Sequence, residues 1–128
     1  NGMWNSRGAG SGGAILLEAN EISVLGTLAA NGGGGGEGTA NGDDGFRGSP
    51  DDVAAPGGHT GTEATTDDGG SGSAAAAIDG SPGGTTNGGG GGGAGRIRLN
   101  STSGKAVVTG TFSPALETEC VSQGKLGG

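Results

Sequence analysis

The side chains that could do chemistry are few, and most are acidic. Three carboxylate pairs, Asp43 with Asp44, Asp51 with Asp52 and Asp67 with Asp68, sit in turn-like sequence, the first and third directly beside glycine and the second after Gly48-Ser-Pro. Nine carboxylates fall from Glu37 to Asp79, and the one cation among them is Arg47. Calcium is held by about six to eight oxygens, which such turns supply as carboxylates and carbonyls. The three pairs are therefore the candidate calcium ligands, although no EF-hand or nonapeptide repeat surrounds them. The competing reading is that aspartate favours turns and keeps a flat surface soluble. His59 is the only histidine and Cys120 the only cysteine, so the chain has no zinc set of its own. His59 follows Pro56-Gly57-Gly58 and reads as a turn residue. A Ser-His-Asp grouping can be drawn through any chain this rich in serine and aspartate. No glycine run leads into the Lys-Ser/Thr of a phosphate loop. The reading is of a non-enzymatic chain with no catalytic residue and no cofactor beyond calcium. Cys120 is either a cross-link to a partner chain or a small buried residue near the C-terminus. Asn100-Ser101-Thr102 fits the glycosylation acceptor pattern.

The elements that must position these residues lie at the two ends. Apolar residues concentrate in segments 12–30 and 95–114, and the two segments match. Gly13-Ala-Ile-Leu-Leu17 aligns with Gly95-Arg-Ile-Arg-Leu99, and Val24-Leu-Gly-Thr-Leu28 with Val108-Thr-Gly-Thr-Phe112. The second copy carries two extra residues near Ser103-Gly104. An internal repeat marks one supersecondary unit used twice. Ile97 and Leu99 alternate with Arg96, Arg98 and Asn100, the period of a half-buried strand. Turns are expected near Ala19-Asn20-Glu21 and Thr102–Lys105, with Gly104 free to take positive φ. Each copy then predicts a β-hairpin, with a solenoid rung as the alternative. The predicted core is Ile15, Leu17, Ile22, Val24, Leu28, Ile97, Leu99, Val108 and Phe112. The β-branched residues of the second copy argue against a helix over AILLEANEISVL.

Between the copies, residues 31–95 are glycine with small and acidic residues. No Gly-X-Y period exists, which excludes collagen. A flexible linker is one reading. The other is a bundle of polyproline-II-like helices, which glycine allows to approach closely and to bond sideways to one another. Rods are expected at 31–38 and 85–95, with turns at 48–52, 55–58, 67–70 and 79–83. The predicted fold class is mostly β with glycine-rich coil and essentially no α-helix: two hairpins packed on a polyglycine-II bundle. The chain reads as one domain, 1–128, with strand segments 12–30 and 95–114, an acidic middle 31–95 and a tail 115–128. The apolar core is too small to order the middle, so backbone hydrogen bonds must do so.

Thirty-six of 128 residues are glycine, and the net charge is −7. That charge argues against nucleic acid and against anionic membrane surfaces. No apolar run is long enough to span a bilayer, and no signal peptide is evident. The chain opens at Asn1 rather than Met, so it reads as a piece of something longer.

The run GGAILLEANEISVLGTLAANGG, followed by GGGGGGAGRIRLNSTSG and VTGTFSPALETECVSQG, resembles glycine-rich surface proteins of gliding and predatory bacteria such as myxobacteria. The first run also resembles a rung of filamentous-haemagglutinin-type adhesins. The middle is similar in kind to the glycine-rich domain of the anaplastic lymphoma kinase ectodomain and to phage tail-fibre tips. These resemblances imply polyglycine-II bundles joined to β-structure and carry over no functional residue. The function they imply is an extracellular or cell-surface structural module, stiff and self-associating head-to-tail through exposed strand edges, or partnered with other surface proteins. An adhesin with turns 41–70 as its contact surface is the alternative, and ice binding is a third.

Overall fold

A computed structural model describes residues 7–62 and 64–127. It is mostly strand and extended coil, and its one helical element is a 3-10 turn at Thr65–Asp67. Trp4 and Glu63 lie outside the described residues.

The first copy forms β1 (Ala14–Glu18), β2 (Ser23–Val24) and β3 (Thr27–Ala29). The second forms β4 (Arg96–Ser101), β5 (Val107–Val108) and β6 (Thr111–Ser113), and β7 (Val121–Lys125) follows. The copies do not fold back on themselves as hairpins. They stack on each other, with β1 against β4, β2 against β5 and β3 against β6, all parallel. The register is the sequence alignment itself: Ile15 lies on Ile97, Val24 on Val108 and Leu28 on Phe112. The architecture is thus the rung alternative, two turns of a parallel solenoid. The physical reason is the size of the unit. The strands of β2 and β3 are too short to bury an apolar face within one copy, whereas stacking like on like makes continuous apolar columns. A parallel pair needs a long crossover connection, and residues 30–95 are that crossover.

β7 extends the first sheet to the order β1-β4-β7. It places Val121 on Ile97 and Gln123 on Leu99. The segment read as a tail therefore supplies a strand and one core residue, Val121. The core cluster is Ile22, Val24, Ala30, Ile97, Leu99, Phe112 and Val121, with Ile15, Leu28, Ala106 and Val108 packed against it. Leu17 departs from expectation. It lies in the Leu99 column but is 36% exposed, whereas Leu99 is 1% exposed. Leu99 has a strand on either side and Leu17 has one only. Gly104 turns the corner after β4 with φ 82°.

The glycine-rich middle is ordered by backbone hydrogen bonds with a three-residue rhythm. The N–H groups of Gly33, Gly34 and Gly35 donate to the carbonyls of Gly10, Phe46 and Gly70. Gly36, Glu37 and Gly38 repeat the series to Arg7, Asp43 and Asp67. Donors rise by three as acceptors fall by three, so each neighbour runs antiparallel to the 31–38 segment. That segment also accepts from Gly58, Gly89 and Gly92, which brings it into contact with five others. Three of the four predicted turns lie largely in extended segments of this lattice, although Asp67 still closes the 3-10 turn and Asp79 is a bend. Gly58, Gly69, Gly70 and Ser81 all donate across it. Glycine and proline favour turns, but they equally suit extended segments packed side by side, so composition does not separate the two. One real reversal falls in the alanine run, where Ala74 and Ala77 bridge and Ala75 takes φ 49°.

The strands and the lattice are continuous. Residues 7–13 lead into β1 and residues 87–95 into β4, side by side, with Ala9 donating to Gly90 and Gly12 to Gly93. Arg96 then donates to Gly13 and begins the β1–β4 ladder.

Candidate functional site

The acidic pairs are held by different partners and do not converge. Asp44 pairs with Arg7 at 2.8 Å, both well exposed. Asp43 contributes its backbone, its carbonyl accepting from Glu37 and its N–H donating to the Glu37 carboxylate at 3.2 Å. Asp51 closes a local turn, accepting from the Ser49 hydroxyl at 2.8 Å and from the Val53 N–H at 2.9 Å. Asp52 is exposed beside it. Asp67 accepts from the Asn87 amide at 3.2 Å, and Asp68 meets His59 Nδ1 at 2.8 Å. Among the described residues, no group of three or more His, Cys, Asp or Glu side chains is gathered to hold a metal ion.

His59 and Asp68 join two neighbouring segments of the lattice at its surface. The hydrogen bond to Asp68 raises the His59 pKa above 6.5, the Asp68 charge adds to this, and Glu37 and Asp43 contribute further. Burial opposes the shift weakly.

The residue that pattern reading passed over is Glu37. It is 3% exposed, deep in a glycine segment. Its carboxylate accepts from the Asp43 N–H, from the Thr60 N–H at 2.9 Å and from the Thr60 hydroxyl at 3.1 Å. A buried carboxylate is tolerated only when so partnered. Here it ties the 31–38 segment to the loop at Thr60. The signal was available: a lone charged side chain between Gly36 and Gly38 has no room to be incidental. A cavity of about 60 Å³ adjoins it, lined by Arg7, Thr39, Ala40, Gly42, Asp43 and Asp44. The Thr39 hydroxyl is buried and has no hydrogen-bond partner among the described residues.

A wider hollow of about 690 Å³ lies between the corner turns of the two rungs, bordered by Asn20, Ile22, Thr102, Lys105 and Val107. Glu21, Ser23 and Ser103 also line it, and among the described residues no ion pair joins Glu21 to Lys105. Cys120 carries a free thiol, half-buried, and its carbonyl accepts from the Ile97 N–H at 2.9 Å. Comparison with protein-family models, with curated proteins and with solved structures yields no match. No helix among the described residues is long and apolar enough to cross a membrane.

Proposed function

We propose that this chain is a stiff extracellular structural module, a polyglycine-II bundle seated on a short parallel β-solenoid, and that it is not an enzyme. The observation that carries the reading is the three-residue donor rhythm of residues 33–38, successive N–H groups donating in rotation to three neighbouring segments. Three residues per turn with all bonds directed sideways is the geometry of packed polyproline-II-type helices. Such a lattice satisfies its polar backbone without an apolar core. A bundle bonded on several sides resists bending, which suits a spacer or a filament component at a cell surface. The dispersed acidic side chains fit a soluble surface rather than a reaction centre.

Hydrogen exchange tests this reading. Residues 31–38, 67–73 and 87–95 are expected to exchange as slowly as β4. Exchange of these amides at the rate of an unstructured peptide would sink it. A second reading, an adhesin contacting its partner through turns 41–70, is favoured by Phe46 and Val53, which are 64% and 63% exposed there. Replacing these turns in a cell- or glycan-binding assay separates the two, since only an adhesin loses binding.

A further inference from the structure

We infer that two copies of this chain pair through the open edge of β1, in antiparallel register about a two-fold axis at Leu16. At this end no strand among the described residues covers the solenoid core. Ile97 and Leu99 are sealed, with 0% and 1% exposure, because β1 and β7 flank them. Leu17, in the same column, lacks a cover on its outer side, and Leu16 beside it is 60% exposed. The bonds from Ala19 to Asn100 and from Arg96 to Gly13 show that odd-numbered residues of this strand face β4. Ala14, Leu16 and Glu18 therefore turn their N–H and C=O groups to the free edge, where the described residues offer no strand.

An unprotected edge of this kind is a template for another strand. β1 has no proline, no lysine and no bulge, and its one charge, Glu18, lies at its end. Its sequence AILLE is self-complementary when reversed on itself. Leu16 meets Leu16 of the second copy as a hydrogen-bonded pair on the outer face. Ile15 meets Leu17 on the inner face, completing both apolar columns. Glu18 falls opposite Ala14 of the second copy, so no like charges are opposed. Arg96 pairs with Ala14 in the next strand on the same outer face. Among the described residues it forms no ion pair. The two-fold brings each Glu18 toward the Arg96 of the other copy, giving complementary charges at both ends of the contact. The two sheets become one six-stranded sheet, and the interface is isologous and closed.

Head-to-tail stacking fits less well. At the opposite end β7 covers β4 alone, and β5 and β6 carry no strand on that side among the described residues. A whole rung laid on that stepped end would touch β7 and stand one strand spacing, about 4.7–4.9 Å, away from β5 and β6.

Sedimentation equilibrium over a concentration series tests the pairing. The unaltered chain is expected to show a monomer–dimer equilibrium. Leu16→Lys opposes two like charges at the axis on an exposed side chain and raises the dissociation constant at least about tenfold. Val53→Lys, the same change in an exposed turn of the glycine-rich region, leaves it unchanged. Glu18→Lys and Arg96→Glu each weaken pairing, and the double variant returns it toward the original value. A monomer at every concentration overturns the inference, meaning that the edge has another occupant. So does a ladder of growing oligomers, which indicates head-to-tail stacking, or a dimer indifferent to Leu16→Lys. None of these outcomes depends on how the glycine-rich amides exchange.

Discussion

Replacing Gly35 by alanine sets a methyl group directly onto the carbonyls of Gly89 and Gly90. Gly35 is not in the left-handed region, so alanine meets no backbone penalty there and the whole effect is steric. The obstacle is backbone, which cannot swing aside as a side chain can. The 87–95 segment must move away from the 31–38 segment. Two bonds join them at this level, Gly89 to Gly36 at 2.9 Å and Gly92 to Gly33 at 2.8 Å. Each buried group left unpaired costs about 1–3 kcal/mol, so losing one to two bonds predicts a destabilisation of about 2–5 kcal/mol. Gly90 provides the control, since a Cβ there comes no closer than 3.9 Å to Ser81. Gly90→Ala is expected to be neutral or to stabilise by about 0.4–1 kcal/mol, by restricting the unfolded chain. Urea unfolding followed by far-ultraviolet circular dichroism measures both, with exchange rates at Gly89 and Gly92 as the local readout. If Gly35→Ala costs less than about 1 kcal/mol, or if the two variants behave alike, the segments are not packed and the lattice argument fails.

Glu37→Gln keeps an amide oxygen for the Asp43 and Thr60 N–H groups and sets its N–H₂ against the Thr60 hydroxyl, so the charge assistance to those two bonds is lost and a destabilisation of about 1–3 kcal/mol is expected in the same assay. Phe112→Ala empties the solenoid core and is expected to cost about 3–5 kcal/mol. Phe46→Ala, at an exposed ring, should stay within about 0.5 kcal/mol, so comparable losses would disprove the core assignment. His59 should titrate above 6.5 by NMR, because Asp68 favours its charged form. A raised folded-state value means that the contact is fully present below pH 6.5 and fades as the pH rises through the folded value. Asp68→Asn should bring the titration back toward 6.5, and a His59 that titrates normally beside Asp68 would contradict the contact.

The solenoid was legible because its information is redundant. Two copies aligned residue by residue contain the strand register, and Ile15 on Ile97 or Leu28 on Phe112 needs nothing else. What the alignment lacks is direction. Alternation in Arg96–Ser101 specifies a half-buried strand but not whether its partner is the neighbouring segment or the other copy. The hairpin was the local solution, and the long-range parallel pairing won because only stacking makes columns deep enough to seal Ile97 and Leu99. β7 was hidden for a related reason: in Val121–Lys125 a single apolar residue reaches the core, so no periodicity announces it. Within the lattice the signal is weaker still. Pro56-Gly57-Gly58 and Gly69-Gly70 have the composition of turns, yet they run extended, because the partner carbonyls that hold Gly58, Gly69 and Gly70 are supplied from distant segments. Of the candidate site residues, the aspartate pairs were visible as a pattern but are spent on separate local contacts. Glu37 was visible only as an isolated letter, and its burial depends on a fold that its neighbours do not encode.

The junction between the two architectures explains why neither needs to be large. A two-rung solenoid has exposed ends and little apolar volume, and a glycine lattice loses much entropy on ordering. Here residues 7–13 and 87–95 lie parallel and in register, and pass without a break into β1 and β4. The ladder that aligns Ile15 with Ile97 continues into the glycine segments as the bond from Gly12 to Gly93. Ala30, at the other exit, donates to Ser113 and accepts from Gly95, closing the same junction from the third face. Strand register set by a few apolar columns fixes the phase of the first glycine segments, and each later segment is placed by bonding to those already fixed. Order is therefore expected to spread outward from the solenoid. A lesion at Leu99 or Phe112 should consequently loosen exchange in residues 87–95 before it reaches residues 55–58, whereas a lattice that folds independently of the strands would lose all its segments together or none.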